Sequence, residues 1–212
     1  MNQETLKYLR VLIPGLIFLV GCIPFFELFT PGIMKEIPSV KFSYITLVSI
    51  LIGSLYYQLK INKIVTNISF KIFGGNINRE MLKIYKDPLT PKQKKYLEKN
   101  KNIRNVFYKI IDHDKSLTIR AKNIYFNGIF WTSSADALII SVFFIAVYSL
   151  SGISNSSEIR TIFIFTSIVS FLLHIISVNR HVELQIDQLE YIETNHYEEV
   201  KTKFDELLHK MP

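Results

Sequence analysis

The chain has 212 residues, a formal net charge of +7 and 49% hydrophobic residues, and those residues gather into four long runs. A soluble globule would spread its core along the chain, so the clustering points to a membrane protein. Its one cysteine, Cys22, excludes a disulfide framework and a cysteine-based zinc site.

A bilayer core about 30 Å thick asks for roughly 20 apolar residues per spanning helix. The first run covers residues 8–29 and is uncharged from Val11 to Phe26. Pro14 and Pro24 lie near its ends, where a missing backbone donor costs least. No small-residue cleavage site follows it, so a retained signal anchor is expected. The second run, 42–59, carries no charge. The third, 125–150, has Asp136 as its only charge, and the fourth, 161–178, is uncharged unless His174 is protonated.

Lys and Arg in the flanking loops set orientation. Lys35, Lys41 and Arg160 lie on one side, against twenty-two Lys or Arg on the other. Both termini and the long loop are therefore expected in the cytoplasm, in an all-α, multi-pass protein of the cell membrane. Trp131, Tyr56, Tyr57 and Tyr125 then fall near the cytoplasmic interface, where amphipathic rings are favoured. The expected parts are a transmembrane hairpin (1–59), a basic helical loop (60–124), a second transmembrane hairpin (125–178) and an amphipathic tail (179–212).

In the loop, residues 60–73 read as a prolongation of the second span, stopped by Gly74-Gly75, since glycine is the usual C-terminal breaker. A short helix over 78–85 follows, and Pro88 lies beyond it. Thr90-Pro91-Lys92-Gln93 reads as a helix start: threonine caps, proline suits the first helical position, and glutamine completes a capping box. That helix is expected to run to about Asp112, with Tyr96, Ile103, Val106, Phe107, Ile110 and Ile111 on one face. Asp112-His113-Asp114-Lys115-Ser116 is a turn in which Asp114 or Ser116 caps a helix continuing into the third span.

The loop carries sixteen positive and five negative side chains. Lys92, Lys94, Lys95, Lys99, Lys101 and Arg104 form its candidate basic surface. Three occupants fit that charge: anionic lipid headgroups, an acidic protein partner, or a nucleotide or nucleic acid. The tail is acidic, and Val182, Ile186, Leu189, Ile192, Val200, Phe204 and Leu207 recur near helical spacing in it. An amphipathic extension of the fourth span follows, able to pack on the basic loop of its own chain or on a neighbouring copy.

Asp136 is the sharpest single signal, because a carboxylate inside a span costs at least ~2.5 kcal/mol at the bilayer centre. Thr132, Ser133 and Ser134 lie beside it, and His174 sits at a similar depth. These five are the candidate membrane cluster, lining a cavity or subunit seam or else pinning helix packing; an Asp136–His174 hydrogen bond is geometrically allowed. No catalytic, metal or cofactor motif stands out. Asp112-His113-Asp114 reads as a capping turn, and His196-Tyr197-Glu198 lacks the spacing of a helical zinc site.

The stretches Phe107-Tyr108-Lys109-Ile110-Ile111-Asp112-His113-Asp114-Lys115-Ser116-Leu117 and Tyr125-Phe126-Asn127-Gly128-Ile129-Phe130-Trp131-Thr132-Ser133-Ser134-Ala135-Asp136 resemble segments of uncharacterised bacterial four-span membrane proteins. The architecture is also similar to that of small membrane components of phage-defence systems. That resemblance implies a few spans joined to a cytoplasmic sensing part. The leading expectation is a non-enzymatic membrane effector or anchor that forms a homo-oligomer. Its cytoplasmic helices would bind a protein partner or small ligand such as a nucleotide, and the oligomer would open a pore along Asp136. A small transporter or channel is the alternative, and a membrane-bound enzyme acting on lipid or nucleotide is a third reading.

Overall fold

A computed structural model describes residues 3–30, 32, 42–151 and 156–211. Lys35 and Lys41, two of the three basic residues of the sparse side, lie outside the described residues. Every regular element among the described residues is helical. Helices α1 (Gln3–Phe29), α2 (Phe42–Gln58) and α3 (Lys63–Tyr85) come first. Then follow α4 (Pro91–Glu98), a 3₁₀ turn (Lys99–Lys101) and α5 (Asn102–His113). The chain ends with α6 (Lys115–Leu150), α7 (Ser156–Asn195) and α8 (Tyr197–His209). Three of these helices, α1, α6 and α7, are each long and apolar enough to cross a membrane; α2 and α3 supply a fourth candidate if that bent pair counts as one span.

The chain divides into two compact units: residues 1–67 with 128–177, and residues 68–127 with 178–212. In the first, α1 and α2 cross closely. A Cβ on Gly15 would collide with the Ser49 carbonyl, and one on Gly53 with the Val11 carbonyl. Small residues permit this approach, which lets dispersion and weak polar contacts hold helices together where lipid gives no hydrophobic drive. Farther along α1, Phe18 and Phe25 join Phe144, Tyr148 and Phe163 in a run of stacked and tilted rings. The Tyr148 hydroxyl donates to the Gly21 carbonyl at 2.8 Å, which satisfies the one polar atom in that ring cluster.

The second unit has an ordinary water-protein core. Ile77, Met81 and Ile84 of α3 meet Leu97, Ile103, Phe107 and Ile110 of α4 and α5, with Leu189, Ile192, Val200 and Phe204 closing the other side. The acidic tail thus packs on the basic segment of its own chain. Ion pairs Lys86–Glu193 and Lys201–Asp87 join the same elements. Thr90 forms the full capping box with Gln93, and Pro91 opens α4.

Four local expectations need correction. The second span does not run on through residues 60–73: α2 ends at Gln58, Lys60 takes a left-handed φ of 58°, and α3 starts anew at Lys63. Gly74-Gly75 does not stop a helix, because neither residue is left-handed and α3 continues to Tyr85. Gly74 is kept small by a packed neighbour: its Cβ would lie 3.0 Å from Arg104 Nη1. The helix over 91–112 is broken by the 3₁₀ turn, with Lys101 at φ 63°. The tail helix is broken at His196, which separates α7 from α8.

Asp114 caps α6 as expected, its Oδ1 accepting the Leu117 N–H at 2.8 Å. Its other oxygen reaches His196 Nε2 at 3.1 Å, and His196 Nδ1 faces Glu199 at 3.2 Å. The Leu117 N–H first, and then His196, hold the Asp114 carboxyl below its ordinary range. A depressed carboxyl stabilises the fold above about pH 4 and loses that contribution as pH falls through its folded value. The melting advantage of the wild type over Asp114→Asn, measured in detergent, should therefore be full at pH 6 and vanish near pH 2; a gap unchanged in acid would remove the carboxylate from the account.

Candidate functional site

The polar cluster of the first unit begins with Asp136 on α6, 1% exposed. Its two oxygens accept hydrogen bonds from Tyr56 and Tyr57, each at 2.9 Å. Consecutive residues of one helix point about 100° apart, so the pair reaches the carboxylate from two directions. Arg10 of α1 lies within electrostatic reach of Asp136 and Tyr57. Its Nη2 would sit 3.2 Å from a Cβ on Gly128, so the guanidinium packs over that glycine. A buried carboxylate with two hydroxyl donors and a nearby guanidinium is a satisfied polar knot, the condition under which charge is tolerated away from water.

His174 belongs to a different network. Its Nδ1 lies 2.9 Å from the Trp131 carbonyl and 3.4 Å from Ser134 Oγ. Ser134 also donates to the Trp131 carbonyl at 3.1 Å. Thr132 gives its hydroxyl to the carbonyls of Gly128 and Ile129 in its own helix. Ser133 Oγ is buried with no hydrogen-bond partner. The four cluster residues of α6 and His174 of α7 therefore serve separate ends, and the carboxylate takes its hydrogen bonds from tyrosines rather than from His174.

Of the rings expected near the cytoplasmic interface, Trp131 and Tyr56 turn inward, at 3% and 7% exposure, whereas Tyr125 is exposed. The Tyr56–Tyr57 pair and Arg10 are the site residues that composition and spacing did not reveal. A usable signal was there: two adjacent tyrosines in one apolar run, an arginine at the mouth of another and a carboxylate in a third are groups that pair when buried among apolar residues.

In the second unit, Lys92, Lys94, Lys95, Lys99 and Lys101 are all exposed, and among the described residues none makes an ion pair. Elsewhere in that unit Arg79, Lys83, Lys86, Arg180, Lys201 and Lys203 are all paired with carboxylates. Arg104 departs from the expected basic surface. It is half-buried against Gly74, and its Nε is buried without a hydrogen-bond partner. No protein family, curated protein or solved structure matches the chain.

Proposed function

We propose that the protein is a non-enzymatic membrane anchor that receives an acidic partner on a lysine strip. The observation that carries the reading is the density of unpaired charge: five exposed lysines over 92–101 have no ion pair among the described residues, while Arg79, Lys83, Lys86, Arg180, Lys201 and Lys203 of the same unit each hold a carboxylate. Glu98 is the sole carboxylate in that stretch. Like charges left together self-repel and are relieved by an anionic occupant, with electrostatics raising its association rate.

On this reading α1, α2, α6 and α7 each cross the bilayer, and the excess of Lys and Arg over 60–124 keeps that segment and both termini in the cytoplasm. An acidic polypeptide suits the strip better than a nucleic acid. Specific single-strand binding needs rings to stack on, and the aromatic of α4, Tyr96, is tied by its hydroxyl to the Lys210 carbonyl at 3.3 Å.

The test is binding of a labelled polyglutamate peptide to the detergent-purified full chain. Replacing all five lysines with glutamine should weaken binding at least tenfold and flatten its salt dependence, with melting unchanged because these side chains are exposed. Equal binding by the variant would overturn the proposal. Tighter, salt-dependent binding of a single-stranded oligonucleotide would replace it with the nucleic-acid reading.

A further inference from the structure

A second feature of the same unit lies on α3 and α7 and uses different residues. Lys71, Gly75 and Arg79 recur every four residues along α3, so they stack on one face with about one turn between neighbours. A Cβ on Gly75 would meet nothing within 4 Å. The glycine therefore opens a gap with a long cationic side chain on each side. This gap is the floor of a hollow of about 750 Å³, lined also by Ile72 and Asn76 and by Asn179, Val182 and Glu183 of α7.

The charges around the hollow are not balanced. Glu183 is paired with Arg180 at 2.8 Å. Arg79 donates to Glu80 through Nε at 2.7 Å and to the Asn76 side-chain Oδ1 through Nη2 at 3.0 Å. That geometry fixes the guanidinium and leaves further N–H donors free. Lys71 is exposed and has no ion pair among the described residues. A bare backbone flanked by an anchored arginine and an unpaired lysine suits a phosphate.

The rest of the wall is apolar. Ile72 and Val182 line the hollow, and one turn before Ile72 the side chain of Ile68 stands 63% exposed. The same stretch of helix buries Ser69 and Asn76. Phe73 and Ile77 are buried there too, so the feature that departs from a helix in water is the outward apolar pair, Ile68 and Ile72. A free phosphate or nucleotide has no use for exposed isoleucines, whereas a phospholipid brings acyl chains to them.

We infer that this hollow binds an anionic phospholipid, with the phosphodiester over Gly75 between Lys71 and Arg79 and the acyl chains along Ile72 and Ile68. The inference deepens the membrane reading and shares no residue with the lysine strip, so polyglutamate binding stands or falls separately from it.

The experiment is native mass spectrometry of the full chain in an uncharged detergent with added phosphatidylglycerol. Phosphatidylcholine, inorganic phosphate and ATP serve as comparison probes. The expected result is one retained phosphatidylglycerol per chain, not displaced by millimolar phosphate or ATP, with phosphatidylcholine retained at least tenfold less. Lys71→Gln with Arg79→Gln should weaken retention at least tenfold, and so should Gly75→Leu, which fills the gap without touching a charge. Lys92→Gln with Lys95→Gln should change nothing. If the arginine variant melts early, Lys71→Gln alone and Gly75→Leu carry the test. Undiminished retention by Gly75→Leu and Lys71→Gln would overturn the site, and displacement by phosphate or ATP would overturn the assignment to lipid.

Discussion

Replacing Gly15 with valine is expected to push α1 and α2 apart and to cost about 3 kcal/mol, the upper end of ordinary overpacking. The reason for the upper end is the identity of the neighbour. A Cβ at Gly15 meets the backbone carbonyl of Ser49, and one at Gly53 meets the backbone carbonyl of Val11. A side chain could swing aside, whereas a helical carbonyl moves only with its helix. Gly15→Ala should already destabilise, although alanine is favoured over glycine in an isolated helix by about 1 kcal/mol. Gly75→Ala is the internal contrast: its Cβ meets nothing, so the helix preference acts alone and the variant should melt slightly higher. Melting curves of the three variants in one detergent decide the matter. Gly15→Ala and Gly75→Ala shifting together in the stabilising direction would refute the close crossing.

Asp136→Leu is the second large effect, at about 2–6 kcal/mol, from about 1–3 kcal/mol for each of two buried hydroxyls left unsatisfied. Leucine matches the apolar setting and removes the cost of burying a carboxylate, so hydropathy alone would predict a gain. The loss arises because the Tyr56 and Tyr57 hydroxyls, each bonded to Asp136 at 2.9 Å, are left buried without an acceptor. Asp136→Asn keeps one acceptor oxygen and should lose less. Adding Tyr56→Phe and Tyr57→Phe to Asp136→Leu removes the orphaned donors and should recover part of the loss, a non-additivity that marks direct coupling. A triple variant no more stable than Asp136→Leu would show that the tyrosines are not its partners.

The apolar helices were readable from the sequence because they depend on local composition: α1, α6 and α7 contain the apolar runs that announced them, and α2 matches its run to within a residue at its end. So were the Thr90 capping box and the Asp114 cap, which need only a few adjacent residues. What stayed hidden depends on who lies opposite. Gly74-Gly75 has the composition of a stop, yet Arg104 across from Gly74 gives the glycine a packing role inside a helix. Lys60 and Lys101 end helical stretches with a left-handed backbone that lysine does not advertise. The partners of Asp136 come from 80 and 79 residues away, a separation that periodicity cannot bridge. Depth matching brought His174 beside Asp136 on paper, but the helix rotations send its ring to the Trp131 carbonyl instead.

The most direct test of the whole account is the side of the membrane reached by single cysteines. In a Cys22→Ser background, Ser157→Cys, Lys95→Cys and Glu198→Cys are treated on intact spheroplasts with a maleimide that cannot cross lipid. The account predicts labelling at 157 without lysis, and labelling at 95 and 198 only after the membrane is broken. Labelling at 95 on intact spheroplasts, or release of the chain into carbonate buffer, would contradict it.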